Sequence, residues 1–120
     1  MTDNVHHPQH YDGPFECIEL ARLYSFDIGN VIKYVWRWKQ KDTPLENLEK
    51  ALEYLDDAIA HKEKMPIHVI DETGLKYERL QHESNIGWPL FWIFAQRGML
   101  PEMRQTVQTH INRLKEGIIP

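Results

Sequence analysis

A mainly α fold, a small helical domain around a central antiparallel helix pair, is what this sequence predicts. Three observations carry the prediction. Apolar residues recur at steps of three and four along most of the chain. Proline and glycine punctuate the segments so defined. The short connection Asp42-Thr43 separates the two longest segments, which forces the chain to reverse between them. With 120 residues there is room for a single domain, 1–120. It divides into an extended arm over 1–13, a helical core over 14–65 and a C-terminal half over 66–120.

The elements follow in order. Residues 1–13 lack periodicity, carry His, Pro, Asn and Asp, and end in an Asp12-Gly13-Pro14 turn. Phe15, Ile18, Leu20, Ala21 and Tyr24 suggest a short helix to about Ser25. Asp27 reads as the cap of a helix over 27–41, with Ile28, Val31, Ile32 and Val35 as its core stripe. Thr43-Pro44-Leu45-Glu46 opens the next helix, over 44–64, on three grounds: a capping threonine, proline at the first helical position and glutamate three residues after the cap. Its Leu45, Leu48, Leu52, Leu55 and Ile59 form a narrow seam for another helix, in the same subunit or a partner. Met65-Pro66 stops it. Over 67–80, Ile67, Val69 and Ile70, then Thr73-Gly74, then Leu75, Tyr77 and Leu80, read as either a short β-hairpin or a loop. Pro89 to Arg97 is an aromatic helix closed by Gly98. Pro101 starts the last helix, which buries Met103, Val107, Ile111 and Leu114 and ends at Gly117.

Composition removes several functions. A net charge of −4 repels a phosphate backbone unless the cations cluster, so no duplex nucleic acid is expected as partner. No stretch fits a membrane span or signal peptide, so no membrane is expected either. Cys17 is the single cysteine, which points to a reducing cytoplasm. A Walker loop, a Rossmann fingerprint and a serine elbow are all missing. Cys17 sits among Phe15, Ile18 and Leu20 and reads as a buried, inert thiol rather than a nucleophile.

Three constellations remain. His6, His7, His10 and Asp12 offer metal-type donors, but no second ligand cluster accompanies them, and solvated histidines are the expected reading. Glu46, Glu49, Glu53 and Asp56 lie along one helix and splay apart, so they read as a solvated face or as partners for Lys39 and Lys50. No metal and no cofactor are expected. Lys33, Arg37 and Lys41, at i, i+4 and i+8 and flanked by Tyr34, Trp36 and Trp38, form the best local signal. Such a stripe can meet phosphate oxygens while a ring stacks a base; it can equally be a surface helix paired with the acidic helix that follows.

The series His10-Tyr11, Glu16-Cys17-Ile18, Gly29-Asn30, Ile32-Lys33-Tyr34, Trp36-Arg37, Lys41, Glu46, Leu48, Lys50-Ala51 and Tyr54 resembles a family of small tailed-phage proteins of formerly unknown function. Some members of that family are named phage nucleotide kinases. The likeness spans about residues 8–60 and departs at Asn47 and Glu49, where Asp and Lys are usual. It implies a phage origin, a homo-oligomer, and a nucleotide held by His10, Tyr11, Asn30, Lys33, Tyr34, Arg37, Lys41, Lys50 and Tyr54. Catalytic residues stay unassigned.

The expected function is capture of a phosphate-bearing nucleotide or nucleotide-derived signal in a basic, aromatic pocket, in the cytoplasm of the infected host. Phosphoryl transfer needs two adjacent sites and, as a rule, a held magnesium, whereas sequestration needs one pocket. Small phage proteins of similar habit act as sponges for antiviral signals, so sequestration ranks first. The alternatives are a metal-independent nucleoside monophosphate kinase-like transferase, and an inhibitor docking on a host enzyme through the aromatic helix Trp88 to Phe94. The leucine seam and that helix together offer more apolar surface than one small core consumes, a second reason to expect self-association.

Overall fold

A computed structural model describes residues 13–40 and 43–118. Its helices are α1 (Cys17–Ala21), α2 (Phe26–Trp36), α3 (Pro44–Ala60), α4 (Glu72–Leu80), α5 (Pro89–Gln96) and α6 (Leu100–Lys115). No strand occurs among the described residues, so the fold is mainly α as expected.

The central pair is α2 against α3. Ser25, just before α2, donates a hydrogen bond to Glu63, just after α3. Asp27 in the first turn of α2 meets Asp57 near the end of α3, so the two helices run antiparallel. Their apolar faces supply the centre of the core: Ile28, Val31, Ile32, Val35 and Trp36 from α2, and Leu48, Ala51, Leu55 and Ala58 from α3. The other side of α3 meets α6, where Arg104 pairs with Asp56. Glu46, Glu49 and Glu53 are exposed, as a solvated face requires.

Four local features differ from the sequence reading, each for a physical reason. Ser25, not Asp27, caps α2: its hydroxyl accepts from the Ile28 N–H at 3.1 Å. Helix α2 stops at Trp36, short of residue 41, because the chain turns to bring the Trp38 indole into the core, where its Nε1 donates to the Gly87 carbonyl at 3.3 Å. Gln40 reaches the Asn85 carbonyl in the same turn. Arg37 therefore stands at the C-cap of α2, and Lys41 lies outside the described residues. Helix α3 starts at Pro44 as read, although the Thr43 hydroxyl makes no cap bond, and it ends at Ala60 rather than at residue 64, with Lys62 in the left-handed region at φ 56°. The segment 67–80 is neither hairpin nor wholly loop. Asp71 accepts from the Gly74 N–H at 2.7 Å and starts α4. The loop carbonyls of His68 and Val69 pass so close to Gly74 that a Cβ there would sit 2.7 and 2.8 Å from them. Gly74, Tyr77 and Leu80 then bury one helical line, while Ile67, Val69 and Ile70 stay exposed in the loop.

The apolar surface that suggested self-association is largely consumed within one chain. Leu48 and Leu55 of the seam are fully buried, and Leu45, Leu52 and Ile59 pack at its margin. In α5, Phe91 and Trp92 are fully buried and Leu90 is the exposed large apolar residue. That helix is core, not a docking patch, and the expectation of a homo-oligomer is left resting on the resemblance.

Candidate functional site

The helical period that buries Ile28, Val31, Ile32 and Val35 turns Phe26, Asn30, Lys33, Tyr34 and Arg37 to another face of α2. Antiparallel α3 lays Asn47, Lys50, Tyr54, Asp57 and His61 beside it, at near-heptad spacing along one line. The result is a groove between two helices, cationic and aromatic at one end and acidic at the other.

Tyr34 is the hub of the cationic end. Lys33 Nζ lies 4.5 Å from its ring centroid, Arg37 Cζ 4.8 Å and Lys50 Nζ 5.6 Å. The Tyr54 ring runs nearly parallel to it, with centroids 6.0 Å apart and planes at 11°. Phe26 meets Tyr54 edge-on at 5.8 Å. One turn away, Asn30 donates from Nδ2 to the Phe26 carbonyl at 2.8 Å. Helix α1 packs on the same helix at Gly29, where a Cβ would stand 2.8 Å from the Ala21 carbonyl oxygen. That close crossing sets Cys17 within the field of Lys33 and Arg37. Burial nevertheless dominates and pushes the Cys17 thiol up to about 12, the two cations opposing it. A thiol so raised stays protonated at neutral pH, the poorly nucleophilic form.

At the acidic end, Asp27 and Asp57 come from two helices and hydrogen-bond to each other. This bond, then desolvation, then the charges of Asp57 and Glu63 push the Asp27 carboxyl up to about 6. His61 lies 2.8 Å from the Asp57 carbonyl through Nδ1 and 3.4 Å from its carboxylate, and these contacts raise its pKa. Asp27, Asp57 and His61 offer ligand atoms within 4.8 Å of one another. The stripe Glu46, Glu49, Glu53 and Asp56 was read as diverging along one helix; Asp57, on the adjoining face, instead faces a carboxylate on α2.

The structure thus gathers Lys33, Tyr34, Arg37, Lys50 and Tyr54 around one ring and sets Asn30 a turn away. His10, Tyr11 and Lys41, like His6, His7 and Asp12, lie outside the described residues. The sequence reading assigns no site role to Phe26, Asp57 or His61, takes Asp27 as a helix cap, and meets Asn47 only as a departure from the family pattern. The i, i+3 and i+7 spacing of Asn47, Lys50 and Tyr54 was the available signal, obscured because Asn47 also falls next to the leucine seam.

A separate, half-open cavity of about 460 Å³ lies on the far side of Trp38, lined among others by Lys39, His82, Trp88 and His110. The His110 and Trp88 rings stack at 3.7 Å, and burial lowers the His110 pKa. The indole N–H groups there are already spent on Gly87 and Thr106.

Fold and site define the class: an all-helical protein with a cationic, aromatic groove between two antiparallel helices. Residues 5–56, which contain most of that groove, match the model of a family described as a protein of unknown function, DUF3310. No curated protein and no solved structure gives a match. Among the described residues no helix is long and apolar enough to cross a membrane.

Proposed function

We propose that this chain is a phage nucleotide-binding protein that captures a phosphate-bearing nucleotide, or a signal derived from one, in the α2–α3 groove and sequesters it in the cytoplasm of the infected host. One observation carries the reading: Lys33, Arg37 and Lys50, from two helices, converge within 6 Å of a single tyrosine ring. Positive charge gathered from two helices beside an aromatic ring suits a phosphate, which Lys and Arg meet with charge-assisted hydrogen bonds. The resemblance to tailed-phage proteins supports the biological setting and the choice of nucleotide.

A second reading, phosphoryl transfer from ATP to a nucleoside monophosphate, is favoured by the Asp27–Asp57 pair at the other end of the groove, since transfer needs a group there to take a proton or hold a cation. One experiment separates the two. The protein is incubated with nucleoside monophosphates plus ATP, and separately with cyclic and ADP-ribose-type signals, then denatured, and the released compounds are chromatographed. Stoichiometric recovery of an intact compound supports sequestration. Nucleoside diphosphate formed in excess over protein would replace it with the transferase reading.

A further inference from the structure

We propose that the groove takes a nucleoside phosphate lengthwise, its base on Phe26 and a phosphoryl oxygen on the amide of Asn47. The inference rests on the nucleotide-binding reading and adds an orientation and two groups to it. Two independent observations carry it, one at each end of the cationic region.

Asn47 is 5% exposed, and its Nδ2 is buried without a hydrogen-bond partner. Buried donors in native proteins are almost always satisfied, and an orphan is a cost of folding that calls for an absent acceptor. Asn47 stands one turn before Lys50 and two before Tyr54 on the same face of α3. Asp27 faces Asp57, and Tyr34 faces Lys50 and Tyr54, so the same register brings Asn47 to the level of Arg37. The orphan donor is thus beside the cations, where an anion's oxygens belong. A neutral N–H among cations adds direction to a site that already has charge.

Phe26 is the converse case. It is 75% exposed, the ring the groove leaves bare, whereas Tyr34 is surrounded by three cations and Tyr54 lies between Tyr34 and Phe26. A planar base finds its open stacking surface on Phe26, not on the tyrosines. Phe26 and Lys33 are seven residues apart on one helix, about 10 Å at 1.5 Å per residue. That is the scale of a nucleoside with its phosphate, so a base on Phe26 sets its phosphate among Lys33, Arg37, Lys50 and Asn47.

The test uses calorimetric titration of the full chain with AMP, ADP, ribose 5-phosphate and pyrophosphate. Phe26→Ala should weaken AMP and ADP about tenfold or more and leave ribose 5-phosphate and pyrophosphate unchanged, while Phe26→Trp restores the nucleotides. Asn47→Leu should weaken all four several-fold yet raise the melting temperature of the free protein, because it removes an unsatisfied buried donor. A purely structural asparagine would give a lower melting temperature with unchanged affinity, which overturns its assignment. Nucleotide binding that needs Lys33 and Arg37 but ignores Phe26→Ala overturns the orientation alone. Binding of none of the four probes, or binding indifferent to Lys33→Ala and Arg37→Ala, overturns the nucleotide reading and this inference with it.

Discussion

Replacing Lys33 with methionine keeps the aliphatic stem beside Tyr34 and deletes the charge, and it should move stability and binding in different ways. Lys33 Nζ lies 4.5 Å from the Tyr34 centroid and Lys50 Nζ 5.6 Å, so the two are separated by at most the sum of those distances, about 10 Å. At that separation two like charges repel by about 0.4 kcal/mol in bulk water and about 1.7 kcal/mol at an effective dielectric constant of 20. Against this stands a cation–π attraction of about 0.5–1 kcal/mol at a partly exposed ring. Repulsion and attraction nearly cancel, so Lys33→Met should leave the free protein within about 1 kcal/mol of wild type, on the stable side at low salt. A phosphate reverses the sign, and losing one charge-assisted contact to it costs about 1.5–3 kcal/mol, a weakening of about 10- to 150-fold. Urea denaturation of the free protein and calorimetric titration with ADP measure the two quantities separately. A variant destabilised by more than about 2 kcal/mol whose affinity is intact would show that the cations brace Tyr34 and bind nothing.

Two further predictions concern the frame of the groove. Asp27 titrates near 6 in the folded chain against an ordinary 3.8, so between about pH 4 and 6 the folded state holds a proton that the unfolded state has released. Its contribution is present below about pH 4 and lost as pH rises through about 6. Asp27→Asn should show a smaller fall in melting temperature from pH 4.5 to 7 than wild type, and Asp57→Asn should bring the Asp27 carbon-13 titration midpoint down towards 4; an Asp27 midpoint near 4 in the wild type would dissolve the pairing. Asp71, held below its ordinary range by His68, has the opposite sign and acts below that window. At the α1–α2 crossing, Gly29→Ala puts a methyl 2.8 Å from a backbone oxygen that has no rotamer to yield. It should cost about 1–3 kcal/mol in denaturant melts, and wild-type stability would show that α1 can lift away freely.

The fold was legible where one pattern had one physical outcome. Pro44 and Pro89 at the first turns of α3 and α5 marked true starts, because proline costs nothing where the N–H has no helical acceptor. The spacing in α6 named its buried line for the same kind of reason. Legibility failed where a distant contact chose between local options. Nothing near Trp38 says that its indole must find the Gly87 carbonyl, yet that contact accompanies the end of α2 at Trp36, short of the expected residue 41. In 67–80, alternating apolar residues suggested strands, whereas the capping bond from Asp71 to Gly74 and the burial of Tyr77 and Leu80 at helical spacing settled the segment as α4.

The site shows the same division at closer range. Lys33 and Arg37 were legible from i, i+4 spacing on α2, but the contribution of α3 was not, because spacing on one helix says nothing of what the other brings opposite. Lys50 and Tyr54 entered the site through resemblance, Asn47 entered only as a departure from the family pattern, and Asp57 was given no place in the site. The difference turns on two residues at a helix start. Were Asp27 the cap of α2, its carboxylate would be committed to the first free N–H groups of that helix. With the Ser25 hydroxyl in that place, bonded to the Ile28 N–H, Asp27 moves into the first turn and its carboxylate is released towards Asp57 on α3. The buried apolar faces of α2 and α3 hold the antiparallel register, and the register decides what faces what further along: Lys50 and Tyr54 lie opposite Tyr34, a placement that no spacing within one helix announces.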